Sequence, residues 1–138
     1  MMNKKFLRLF TLAAFAGVGA ITPIYADDTP LAEEMDELSG SLKGLRKAET
    51  YADKVKLVQA AQGHTINSLK YLPAIFKDIS DAKEKALATA DYKRLIGLSY
   101  AALCELEEAY LKEDDEKAKE LLKNLKKLKK EAHKKYTE

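Results

Sequence analysis

The sequence predicts an all-α chain that folds as an up-down-up-down antiparallel four-helix bundle. Three observations carry that expectation. No stretch alternates apolar and polar residues as a half-buried strand does. Four segments repeat apolar residues at steps of three and four, the period of an amphipathic helix. The links between them are short, which makes successive helices antiparallel neighbours around one core.

The N-terminus stands apart from these segments. Lys4, Lys5 and Arg8 give it a basic start, Phe10 to Ile24 is largely apolar and uncharged, and Tyr25-Ala26 precedes Asp27-Asp28. That is the layout of a secretory signal peptide ending at Ala26. The apolar run is shorter than the roughly 18–20 residues that span a bilayer, which argues against a retained anchor. The expected division is a signal peptide at 1–26 and one domain at 27–138, exported to the periplasm without stable membrane insertion.

The first helix carries Leu31, Met35, Leu38, Leu42 and Leu45, with Thr29 as its cap and Pro30 at its first position. Gly40 and Gly44 weaken it and leave room for a close neighbour. The second runs from about Tyr51 to Lys70, with Tyr51, Val55, Val58, Ile66 and Leu69 as its apolar stripe, and Pro73 ends or bends it. The link from Tyr71 to Ser80 holds Leu72, Ile75 and Phe76 and is unusually apolar. It either packs over the open end of the bundle or covers a ligand. The third helix follows Ser80 and reaches about Lys112, with Tyr92, Ile96, Leu103, Leu106 and Tyr110 near one face and Tyr100 and Cys104 on its flanks. Asp114, Asp115 and Glu116 open the fourth, whose stripe is Ala118, Leu121, Leu122, Leu125, Leu128, Ala132 and Tyr136. An acidic helix start suits the positive end of the dipole and accounts for that cluster better than a cation site.

Composition removes several functional classes. The net charge of +2 rests on the expected leader, whose three basic residues meet no acid. Without it the balance is one acid in excess, so overall charge gives no argument for nucleic-acid binding. The single cysteine, Cys104, forms no internal disulfide; it is a buried thiol, or else an intermolecularly paired or reactive one. No Cys-x-x-Cys-His occurs, so covalent attachment of a c-type haem is excluded, as are the common structural zinc patterns. No phosphate-cradling glycine loop and no triad spacing around His64 or His133 is present, and an enzyme is not expected.

His133 and Met35 remain. At about 100° per residue, His133 lies roughly 20° from Leu122 and roughly 60° from Tyr136, which reads as pointing inward with the core stripe. Met35 lies on the stripe of the first helix. With the first and fourth helices antiparallel neighbours, both side chains fall at the same end of the bundle. A thioether and an imidazole facing each other suit the axial positions of a haem iron, although core filler for the Met and a half-exposed ring for the His account for each residue alone.

The stretch Leu31-Ala-Glu-Glu-Met35-Asp-Glu-Leu-Ser-Gly-Ser-Leu42-Lys-Gly-Leu-Arg-Lys-Ala48 resembles the first helix of the soluble cytochrome b562 family, and Ala132-His133-Lys134-Lys135-Tyr136 resembles that family's last turn. The resemblance is strongest over 30–50 and 113–136. It implies an up-down-up-down bundle, a topology for which this family is a known example. It also implies one non-covalent haem b held by Met35 and His133, in a monomer that passes electrons to an unidentified redox partner protein. Leu38 and Pro73 would line the haem pocket, Pro73 standing in the loop that closes over it. Tyr92 and Ile96 stand where the family has a pair of Phe, and Lys129 stands where it has an Arg. The nine lysines between Lys117 and Lys135 are either a solvated face or a surface that pairs with propionates or steers an acidic partner. The alternative to a haem carrier is a haem-free periplasmic bundle acting in protein interaction or stress response. A metal site drawing on His64, His133 and methionines ranks behind both.

Overall fold

A computed structural model describes residues 29–136. The expected signal segment lies outside the described residues. The elements in order are α1 (Pro30–Gly44), α2 (Tyr51–Ser68), a short 3-10 helix (Ala74–Asp78), α3 (Ala82–Leu111) and α4 (Asp115–Tyr136). The fold is the expected all-α four-helix bundle.

Each helix starts on a side-chain cap. Thr29 Oγ1 accepts the Ala32 N–H at 3.1 Å, and Thr50 Oγ1 accepts the Asp53 N–H at 3.1 Å. Asp81 accepts from the Glu84 N–H at 2.7 Å and Asp114 from the Lys117 N–H at 2.9 Å. Such caps satisfy amides that have no partner within the helix, each worth about 1 kcal/mol. The acidic start of α4 is thereby explained as a cap. Asp115 carries a tertiary contact as well, accepting the Tyr51 hydroxyl at 2.9 Å. Before it, Glu113 adopts a left-handed φ of 55°, and the Asp114 N–H reaches back to the Ala109 carbonyl at 2.8 Å to close α3.

Two core clusters divide the bundle along its length. The first joins Leu45, Val58, Leu103, Leu106, Tyr110 and Leu121, with Leu38 and Leu42 packed against it. The second lies at the end where α1 begins and α4 stops. It contains Ile75, Phe76, Tyr92, Leu95, Ile96 and Tyr136, edged by Leu31, Met35, Leu128 and Ala132. The apolar link is thus resolved: its 3-10 helix drives Ile75 and Phe76 into this end cluster, with Pro73 buried at its start. It packs over the end of the bundle. α2 stops at Ser68, ahead of Pro73.

The stripe expected for α2 holds only in its first half. Ile66 and Leu69 are 44% and 38% exposed, and Ala61, Thr65 and Ser68 are buried instead. The two hydroxyls satisfy themselves within the helix, Thr65 donating to the Ala61 carbonyl and Ser68 to the His64 carbonyl, both at 2.8 Å. Satisfied in this way, a small polar side chain is buried at little cost. The Tyr92 hydroxyl then lies 3.3 Å from the Ser68 carbonyl, so a large ring from α3 supplies the volume that α2 leaves open.

The two glycines of α1 part company. A methyl group at Gly44 would meet the Leu57 side chain at 3.2 Å, so Gly44 permits close approach of α2. At Gly40 nothing lies within 4 Å. Gly40→Ala is therefore expected to raise stability by about 0.5–1 kcal/mol through helix propensity. Gly44→Ala should gain less or nothing, and paired urea titrations measure the contrast.

Close backbone packing joins α1 to α2, α2 to α3 and α3 to α4. Among the described residues no comparable approach joins α1 to α4. Both helices contribute side chains to the two clusters, and the seam between them is left unclosed at the backbone.

Candidate functional site at the α1–α4 seam

Contacts on each helix show which flank faces this seam. On α1, the Glu34 carboxylate lies 2.7 Å from His64 Nδ1 of α2. Met35 sits about 100° further round, across the core stripe, and so lies on the flank turned away from α2. On α4, Lys135 reaches Asp91 of α3 at 2.9 Å, and Glu131 reaches Arg94 of α3 at 3.2 Å. His133 lies roughly 160° from Lys135 on the wheel, on the flank turned away from α3. Both residues therefore occupy the flanks that border the unclosed seam, at the same end of the bundle.

Their burial differs, and here the sequence reading needs correction. Met35 is half-buried against the end cluster, as expected. His133 is exposed. Leu122, the stripe residue nearest His133 on the wheel, is itself half-buried at the rim, and a residue roughly 20° beyond it passes into solvent. Tyr92 and Ile96 are buried beside Met35's cluster. Leu38 belongs to the other cluster, so it does not join them. Pro73 stands behind the site as the start of the 3-10 helix.

Two residues central to this end were not singled out as site residues from sequence: Phe76 and Tyr136. With Tyr92 they form an edge-to-face trio. Ring centroids are 5.3 Å apart for Phe76–Tyr136, 6.0 Å for Tyr92–Tyr136 and 6.1 Å for Phe76–Tyr92. The signals were present, in an apolar link around Phe76 and in Tyr136 closing the α4 stripe. Burial pushes the Tyr92 phenol up to about 12.

A polar latch holds α4 against α3 beside this trio. The Tyr136 hydroxyl donates to Asp91 at 2.5 Å, Lys135 donates to the same carboxylate at 2.9 Å, and Arg94 contacts it at 2.8 Å. The Tyr136 hydrogen bond, then Lys135 and Arg94, hold the Asp91 carboxyl well below the usual carboxylate range. Burial, followed by the Asp91 contact, holds Tyr136 well above the usual phenol range. Elsewhere on α3, Cys104 is half-buried, and its thiol holds the nearby Tyr100 phenol above the usual range.

For a haem iron, the donor set is chemically apt: one soft thioether and one imidazole bordering a single seam over aromatic and aliphatic side chains. The aromatic trio fills the space beneath that seam. A porphyrin therefore requires α1 and α4 to part and the His133 ring to turn in from solvent. Among the described residues, no group of three or more His, Cys, Asp or Glu side chains is arranged to hold a metal ion, and no helix is long and apolar enough to cross a membrane.

No protein-family model, no curated protein and no solved structure matches this chain.

Proposed function

We propose that residues 27–138 act as a periplasmic electron carrier that takes one non-covalent b-type haem between Met35 and His133. One observation supports the reading above the others. The thioether and the imidazole border the same seam, the one whose backbones do not close, at one end of the bundle. The resemblance of both helix ends to the soluble cytochrome b562 family points the same way.

Bound there, haem would supply a one-electron ferric/ferrous couple. The Met35 sulfur and a His133 ring nitrogen would hold its iron. A thioether ligand favours the ferrous form and so raises the potential relative to two imidazoles. Tyr92 and Ile96 would line the pocket wall and keep water out. The Asp91 latch would hold the last turn of α4, and with it the backbone of His133, in a constant position.

A second reading has observations of its own. His133 is exposed and the end cluster is well packed, which suits a haem-free bundle acting in protein interaction. Titrating haemin into purified 27–138 separates the two. The carrier reading expects a Soret band that saturates at one equivalent. His133→Ala should severely weaken uptake, and Met35→Ala should retain haem at a lower potential. A chain that gives no Soret band is the haem-free bundle.

A further inference from the structure

We propose that the outward face of α4 is a docking surface for an acidic face of a partner protein. Nine of the 22 residues of α4 are lysine and none is arginine. Lys117 pairs with Glu120, and Lys135 with Asp91 and Glu131. Lys129, beside the core stripe, is exposed and forms no ion pair with a described acid, and the same holds for six lysines of the outward side, Lys119, Lys123, Lys126, Lys127, Lys130 and Lys134.

These six side chains fall within an arc of about 100°, opposite the core stripe, along about 22 Å of helix. Glu116, Glu120 and Glu131 lie among or beside them, and six positive charges against three negative ones leave a net repulsion in the free protein. An acidic partner relieves that repulsion. The other flank of the same end has the opposite sign, because Glu33, Glu34, Asp36 and Glu37 line a shallow cleft between α1 and α2. An acidic protein approaching this end is drawn to α4 and turned away from α1, so the field selects an orientation as well as a partner.

The choice between a protein and a lipid surface follows from what the face lacks. A helix lying on a membrane seats apolar and aromatic side chains below the headgroups. The apolar side of α4 is already in the core through Ala118, Leu121, Leu125 and Tyr136, and the outward arc offers lysines and Glu116 but no apolar side chain. Lysines are compact, strongly hydrated charges, without the planar fork that fixes a bidentate geometry. They suit a brief encounter over a small interface, as in redox exchange. The partner's redox role rests on the carrier reading above; the docking itself needs no haem.

The test therefore uses the haem-free chain. Isotope-labelled protein is titrated with poly-L-glutamate and, separately, with vesicles containing phosphatidylglycerol. Amide shifts on adding poly-L-glutamate should be confined to residues 119–134, and affinity should fall by about tenfold or more between about 20 and about 200 mM salt. Lys123→Glu, Lys127→Glu and Lys130→Glu together should abolish binding. The same reversal at Lys47, Lys83 and Lys93, also exposed, should leave it within about twofold. Shifts spread evenly over the lysines of every helix, equal loss in the two triple variants, or tighter binding to the vesicles than to the polymer each overturn the proposal. Docking without a Soret band would sink the haem reading and leave this surface standing, and the reverse result would do the opposite.

Discussion

Phe76→Ala lowers the stability of the bundle by about 3–5 kcal/mol. The side chain is 1% exposed and is the largest of the fully buried ones. It enters the end cluster from the link between α2 and α3, and its ring meets Tyr92 and Tyr136 edge-on. Truncation removes apolar burial and two aromatic contacts, and leaves a cavity lined by rings that the Asp91 latch and the Ser68 carbonyl hold in place. Those ties limit collapse around the void, which puts the change toward the upper end of the range. For a domain of this size the loss is a large part of the total. Leu87→Ala is the control. That side chain is 63% exposed and its removal should change stability by less than about 0.5 kcal/mol. Urea unfolding of the two variants, followed by far-UV circular dichroism, measures the difference.

Asp91→Ala should destabilise the protein by about 2–3 kcal/mol at neutral pH. It strips the shared acceptor from Tyr136, Lys135 and Arg94, and leaves the part-buried Tyr136 hydroxyl with only the Ala88 carbonyl at 3.3 Å. The sign of the pH dependence follows from the lowered folded-state value of this carboxyl. Its stabilisation is fully present above the unfolded carboxylate value of about 4, and is lost as pH falls through the folded one. The gap between wild type and variant should therefore be constant from neutral pH down to about 5 and shrink progressively in acid below about 4. Tyr136→Phe leaves Lys135 and Arg94 on the carboxylate and should give a smaller loss, about 1 kcal/mol. Denaturant midpoints across an acid pH series test both statements. A gap that widens in acid would mean that Asp91 is not stabilised by these partners.

The Asp91 latch also bears on the proposed carrier. α1 has no buried residue within its span, while α4 is tied to α3 at its last turns. If the seam opens for a ligand, α1 is the helix with less to lose.

What the sequence determined by itself was whatever depends on neighbours within about one helical turn. The cap at Thr29 was legible because it needs only a side-chain oxygen three residues before an amide, and the structure shows Thr50, Asp81 and Asp114 capping the other three helices by the same local geometry. The buried face of α3, with Tyr92, Ile96, Leu103, Leu106 and Tyr110, followed from its period, since that helix packs on both α2 and α4 and shows its stripe to the interior. Met35, Tyr92 and Ile96 converge on one cluster for the same reason. Tertiary structure decided the rest. Periodicity locates an apolar arc, but its edges depend on where neighbouring helices stand. Thus Ile66 and Leu69 turned outward while Thr65 and Ser68 turned in, and His133 passed beyond the rim into solvent. Leu38 joined the other cluster because the bundle divides its core along its length, a division no single helix records. The Glu34–His64 and Asp91–Tyr136 contacts join residues far apart in the chain, and only the packing of helix on helix brings such groups within reach.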